Sequence, residues 1–107
     1  CTAAIESQAA GTPIVASALA ALSETVLNDY SGCLIPGDPH TVEFGHRFIE
    51  TVVTLMNDDQ SWHRLSNGAR HHAELFYDWN KIAKDWLNEL CRLEDERNMI
   101  NNVSSFT

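Results

Sequence analysis

Glu6 is the first residue in this chain whose type and setting could do chemistry. It stands in Thr2-Ala3-Ala4-Ile5-Glu6-Ser7-Gln8-Ala9-Ala10, a run without Gly or Pro in which four residues are alanine. Alanine is the best helix former, so the run reads as a helix carrying one carboxylate among small, mostly apolar residues. In open α/β sheets, ligands bind outside the carboxyl ends of the strands, beside helix N-termini. A carboxylate in the first turns of such a helix can accept hydrogen bonds from both hydroxyls of a vicinal diol. A lone glutamate on a helix is more often simply solvated, and only its surroundings raise Glu6 above that reading.

Other groups offer less. Glu24 falls at the start of a short helix, where it complements the helix dipole; a direct contact in a cleft is the alternative. Ser17 ends a strand at the ligand edge, where a turn-forming role competes with ligand contact. The five histidines do not make a metal site. His71 and His72 are adjacent and diverge on a helix, and His40 and His46 fall on different faces. Zinc needs three or four convergent ligands, and Cys1, Cys33 and Cys91 form no C-x-x-C pair. Arg47, Arg64, Arg70 and Lys81 lie on helices and read as solvated. Trp62, Trp79 and Trp86 fall on apolar helix stripes, so core packing is favoured over sugar stacking. There is no Ser-His-Asp or Cys-His arrangement and no P-loop.

The elements that must position Glu6 follow directly. Gly11 suits a left-handed helix end, and Thr12 is held extended by Pro13. Ile14-Val15-Ala16 is an apolar run suited to a strand buried on both faces. A short helix capped by Ser23 comes next, then a second strand at Cys33-Leu34-Ile35 ended by Pro36-Gly37. Asp38 is expected to cap a helix with Pro39 at its first position, reaching about Asn57. Val42, Gly45, Ile49, Val52 and Met56 share one side of it, with Phe48 and Leu55 beside them. A further helix places Trp62, Leu65, Ala69, Ala73 and Phe76 in register. Asp78 caps a last one with Trp79, Ile82, Ala83, Trp86, Leu90 and Cys91 inward. From residue 94 the chain is charged, then Asn- and Ser-rich, and is expected to fray.

The run Glu6-Ser7-Gln8-Ala9-Ala10-Gly11-Thr12-Pro13-Ile14-Val15-Ala16-Ser17 resembles the C-terminal nucleotide-sugar-binding domain of the retaining glycosyltransferases with the GT-B fold. That family carries Glu-Ala-x-Ala-x-Gly-Thr-Pro-Val-Val-Ala-Ser. The likeness continues through Glu24-Thr25-Val26, Gly32-Cys33-Leu34-Ile35-Pro36-Gly37-Asp38-Pro39 and Phe76-Tyr77-Asp78-Trp79, covering roughly residues 1–90. The resemblance implies an α/β fold, the C-terminal part of a Rossmann-like GT-B domain. It would consist of two short parallel strands with flanking helices and a three-helix C-terminal segment. It makes Glu6 the second glutamate of the family's E-x7-E motif, on the ribose hydroxyls of a nucleoside diphosphate sugar donor. It places the first-turn amides of Thr2 and Ala3 toward the diphosphate. The acceptor is left unknown, no metal or cofactor is implied, and no catalytic residue falls in this stretch. Ala20-Ala21 stand where the family has Gly-Gly, and the helix after Pro39 is longer than the family's.

Length and composition agree with this. The 107 residues allow one small domain, and a hydrophobic content of 44% is that of a globular chain. A formal net charge of −8 argues against nucleic acid as a partner, since phosphate contacts need clustered Lys and Arg. The unpaired cysteines suit a cytoplasmic setting, with any attachment to a membrane surface made by other segments. Two parallel strands do not make a stable sheet alone, so residues 1–93 read as a piece of the donor-binding domain that needs the N-terminal remainder of the chain. Residues 94–107 read as a tail. Two other readings stand beside this one: a sugar-nucleotide epimerase of the same fold, and a non-catalytic interaction module that kept the scaffold.

Overall fold

A computed structural model describes residues 1–105. In order they form α1 (Thr2–Ala9), β1 (Ile14–Ser17), α2 (Leu22–Thr25), β2 (Gly32–Ile35), α3 (Val42–Asn57), α4 (Asp59–Phe76) and α5 (Trp79–Ser104). The fold is α/β, with two parallel strands, flanking helices and three consecutive C-terminal helices, as the sequence suggests. The chain divides into two compact units, Cys1–Leu75 and a second beginning at Phe76.

The first unit is built on β1 and β2, which pair in register from Ile14 with Gly32 to Ser17 with Ile35. α3 covers both strands, and α1 packs on β1 and α2. α1 ends as its sequence dictates. Gly11 takes φ 74°, the Gly11 amide donates to the Gln8 carbonyl at 2.9 Å, and Thr12 donates to Ser7 at 2.9 Å. This pair of bonds satisfies the last carbonyls of the helix and reverses the chain within four residues into β1. The strand residues are half-buried, not buried on both faces, because β1 has one strand neighbour among the described residues.

The long helices depart from expectation in register. Asp38 caps no helix: its carboxylate accepts from the His40 amide at 2.9 Å and closes a local turn. Thr41 is the cap instead, its hydroxyl accepting from the Phe44 amide at 3.2 Å. The inward face is Phe44 and Leu55, with Phe48 and Val52 half-buried, while Val42, Ile49 and Met56 are exposed. α2 similarly starts after Ala21, with Ser23 inside it and not capping it.

On α4 the predicted stripe holds in its middle. Leu65, Ala69 and Ala73 are buried, joined by Ser66, Gly68 and His72, whereas Trp62 and Phe76 are exposed. Gly68 is needed there, because a Cβ at that position would lie 2.0 Å from the Tyr30 carbonyl oxygen.

In the second unit, α5 runs unbroken through Glu94 to Ser104 where fraying was expected. Arg92 bonds Glu89 and Glu96 one turn to either side, and Arg97 lies 3.8 Å from Glu94, so the charged stretch supports its own helix. Trp79 and Trp86 are 80% and 65% exposed, so they are not core residues of the described chain. No described helix is long and apolar enough to cross a membrane.

Candidate functional site

The reversal at Gly11 leads from α1 into β1, and α1 packs against that strand and against α2. At about 100° per residue, Thr2, Ala3 and Glu6 fall within roughly one quadrant or so of the helix surface. All three are exposed. The opposite face, Ala4 and Gln8, is fully buried at 1% and 0% exposure. One helix thus has an anchored side and a free side, and the free side carries the predicted residues.

Gln8 is the anchor, and sequence reasoning did not single it out. Its Nε2 donates to the Ala4 carbonyl at 3.0 Å and to the Thr25 carbonyl at 3.1 Å. His72 Nε2 reaches the same Thr25 carbonyl at 3.2 Å. The end of α2 is therefore held to α1 and α4 at one oxygen. The only signal for this in the sequence is the spacing of Ala4 and Gln8 on one helix face. Ser66 and Arg70 of α4 complete the support: the Ser66 hydroxyl donates to the Gly11 carbonyl, and the Arg70 guanidinium lies against Gly11. Arg64 donates to the Asp29 carbonyl at 2.7 Å and to its carboxylate at 3.0 Å. These two arginines, expected to be merely solvated, brace loops that precede the strands.

Beyond Ser17 the Ala18 amide donates to the Ile35 carbonyl at 2.9 Å, extending the parallel pairing by one bond. Ala20 then takes φ 47° before α2 begins. Glu24 is exposed in the only turn of α2, and Ser17 is half-buried.

A separate cleft of about 300 Å³ lies beside β2, lined by Cys33, Asp29, Glu50, Thr54, Ser61 and Arg64 among others. Burial pushes the Cys33 thiol up, Asp29 adds to this, and Arg64 opposes it. That thiol is held protonated and is a poor nucleophile. The cleft does not include Glu6, Thr2 or Ala3. Among the described residues no group of three or more potential metal ligands converges.

The exposed side of α1 carries the predicted residues, and known proteins bear on it. The chain is 38% identical over 80 residues to the D-inositol 3-phosphate glycosyltransferase of Streptomyces bingchenggensis, which covers 75% of this chain and 16% of that protein. It is 35% identical over 86 residues to the enzyme of that name from Salinispora tropica, covering 79% and 16%. It is 37% identical over 84 residues to that of Stackebrandtia nassauensis, covering 78% and 18%. The chain thus spans less than a fifth of the length of the curated relatives it matches. No family model matches it, and no solved structure matches it. The relatives' shared name, the identity across most of this chain and the observed order of strands and helices agree: the chain fits a fragment of a group 1 glycosyltransferase domain with the GT-B fold.

Proposed function

We propose that this chain is the donor-binding part of a retaining glycosyltransferase that moves a sugar from a nucleoside diphosphate to an acceptor hydroxyl. The observation that supports the reading is the exposed side of α1, which carries Thr2, Ala3 and Glu6 while Ala4 and Gln8 on the other side are buried. Glu6 accepts hydrogen bonds from the ribose hydroxyls. The amides of Thr2 and Ala3 lie in the first turn of α1, where backbone donors have no partner within the helix, and they face the diphosphate.

In this reading the diphosphate leaves while the acceptor hydroxyl attacks from the same face. The catalytic demand is to stabilise charge on the departing phosphate and to position both substrates. The chain's own share is binding and orientation: α1 fixed by Gln8, Gly11 and Ser66 from behind, with its outer side free for the nucleotide. The acceptor site and the groups that neutralise the leaving phosphate belong to the remainder of the protein. The 107-residue piece is therefore inactive alone.

Calorimetric titration of the complete protein with UDP, GDP and ADP tests this. Binding of at least one is expected, and Glu6→Ala should weaken it by about 1.5–3 kcal/mol, the range for a hydrogen bond to a charged group. Unchanged affinity in the variant would remove Glu6 from the site.

A further inference from the structure

Gln8 is fully buried where α1, α2 and α4 meet. Its Nε2 donates to the Ala4 carbonyl within α1 and, at 3.1 Å, to the Thr25 carbonyl of α2. α2 is a single turn of four residues, too short to hold itself, and Thr25 is its last residue. A carbonyl at that position takes its hydrogen bonds from outside the helix. Here Gln8 of α1 supplies one, and His72 Nε2 of α4 approaches the same oxygen at 3.2 Å.

Stability alone would not select this arrangement. The neighbours of Nε2 are both carbonyl oxygens, so the amide cannot turn over, and Oε1 is buried with no hydrogen-bond partner among the described residues. A buried acceptor without a donor is costly, and an unbranched apolar side chain of similar length would avoid that cost. The Thr25 carbonyl would still keep His72. A side chain that breaks a local rule in this way marks a place where position matters more than stability.

What Gln8 positions follows from helix geometry. Ala4 and Gln8, the buried residues of α1, flank Glu6 two residues to either side. At about 100° per residue, Glu6 projects about 180° from their midline. Rotation of α1 about its axis would sweep the Glu6 carboxylate sideways. Ala4 offers only a methyl group against such a rotation, whereas the bond from Gln8 to Thr25 ties α1 to a second element and opposes it.

We infer that Gln8 is a positioning residue of the donor site, acting through Glu6. Its bond to Thr25 sets the rotation of α1 and so aims the Glu6 carboxylate at the ribose hydroxyls. The inference rests on the donor-binding reading above and adds to it the group that orients its principal side chain.

The complete protein is titrated with UDP, GDP and ADP as wild type, Glu6→Ala, Gln8→Met and the double variant, alongside urea unfolding of each. Gln8→Met should weaken the nucleoside diphosphate that the wild type binds by roughly three- to tenfold. In the Glu6→Ala background the same change should cost less than about twofold, since no carboxylate is left to aim. A merely structural Gln8 would lower the urea midpoint and leave the affinity of the folded protein unchanged. Unaltered affinity in Gln8→Met, or an equal loss in both backgrounds, would overturn the inference while leaving the donor-binding reading intact. Gln8→Glu, of the same shape but with at most one donor, decides the same question if Gln8→Met does not fold. A wild type that binds none of the three, or a Glu6→Ala variant that binds as the wild type does, would overturn the inference and the ribose role of Glu6 together.

Discussion

At the scale of single residues, the chain separates those that hold α1 from those that α1 presents. Gly11 is among the first. Its left-handed φ of 74° disfavours any side chain, and a Cβ there would lie 2.6 Å from Arg70 Nη2. Gly11→Ala should therefore destabilise the complete protein by about 1–2 kcal/mol from the backbone alone. Displacement of the Arg70 guanidinium, which lies at the flexible end of its side chain, adds little. Urea unfolding with an unchanged slope and a lower midpoint would show this. Cys33 belongs to neither group. With its thiol pushed up by burial and by Asp29, its folded form keeps the proton to higher pH. Any stabilisation from this is present below the ordinary thiol range and is lost as pH rises through the raised value. Alkylation by iodoacetamide at neutral pH should accordingly reach the exposed Cys1 and Cys91 well before Cys33. Equal rates at all three would contradict that placement.

At the scale of elements, α4 is what fixes the loops before both strands. It touches Gly11 through Ser66 and Arg70, Tyr30 through Gly68, and Asp29 through Arg64. Gly68→Ala would drive a methyl group into the Tyr30 carbonyl and must move helix or loop, at a cost of about 1–3 kcal/mol. A variant as stable as the wild type in urea would show that this contact is looser than the geometry indicates.

Much of this level was legible in the sequence. The Gly11–Pro13 reversal, the apolar run into β1, the second strand and the middle of the α4 stripe all follow from local chemistry. What was not legible has local causes too. Asp38 and Thr41 are both good caps three residues apart, and which one starts α3 depends on the Asp38 carboxylate being used by His40. Which side of α3 turns inward, Phe44 and Leu55 with Ile49 and Met56 outward, is set by the strands it covers and not by where the helix starts. The Gln8–Thr25–His72 junction joins three helices, and no periodicity within one helix could reveal it. The exposed side of α1 was legible only through its likeness to a family motif, since one glutamate on a helix carries no chemistry by itself.

At the scale of the whole molecule, the exposed apolar side chains are the main fact. Val42, Ile49 and Met56 on α3 are 74%, 62% and 75% exposed, and α5 exposes Trp79, Trp86, Leu90 and Ile100. A two-stranded sheet with these faces uncovered gives little cooperativity. The isolated 107-residue chain should melt broadly at low temperature, and a sharp, high-temperature calorimetric transition would contradict this. The central claim concerns the complete protein and one contact within it, Glu6 to the ribose hydroxyls. A thermodynamic cycle isolates that contact. The wild type and Glu6→Ala are each titrated with a nucleoside diphosphate and with its 2′,3′-dideoxy counterpart. If Glu6 holds the diol, either change alone weakens binding, and making both costs little more than making one, a coupling of about 1 kcal/mol or more. Losses that simply add would show that Glu6 and the ribose do not meet.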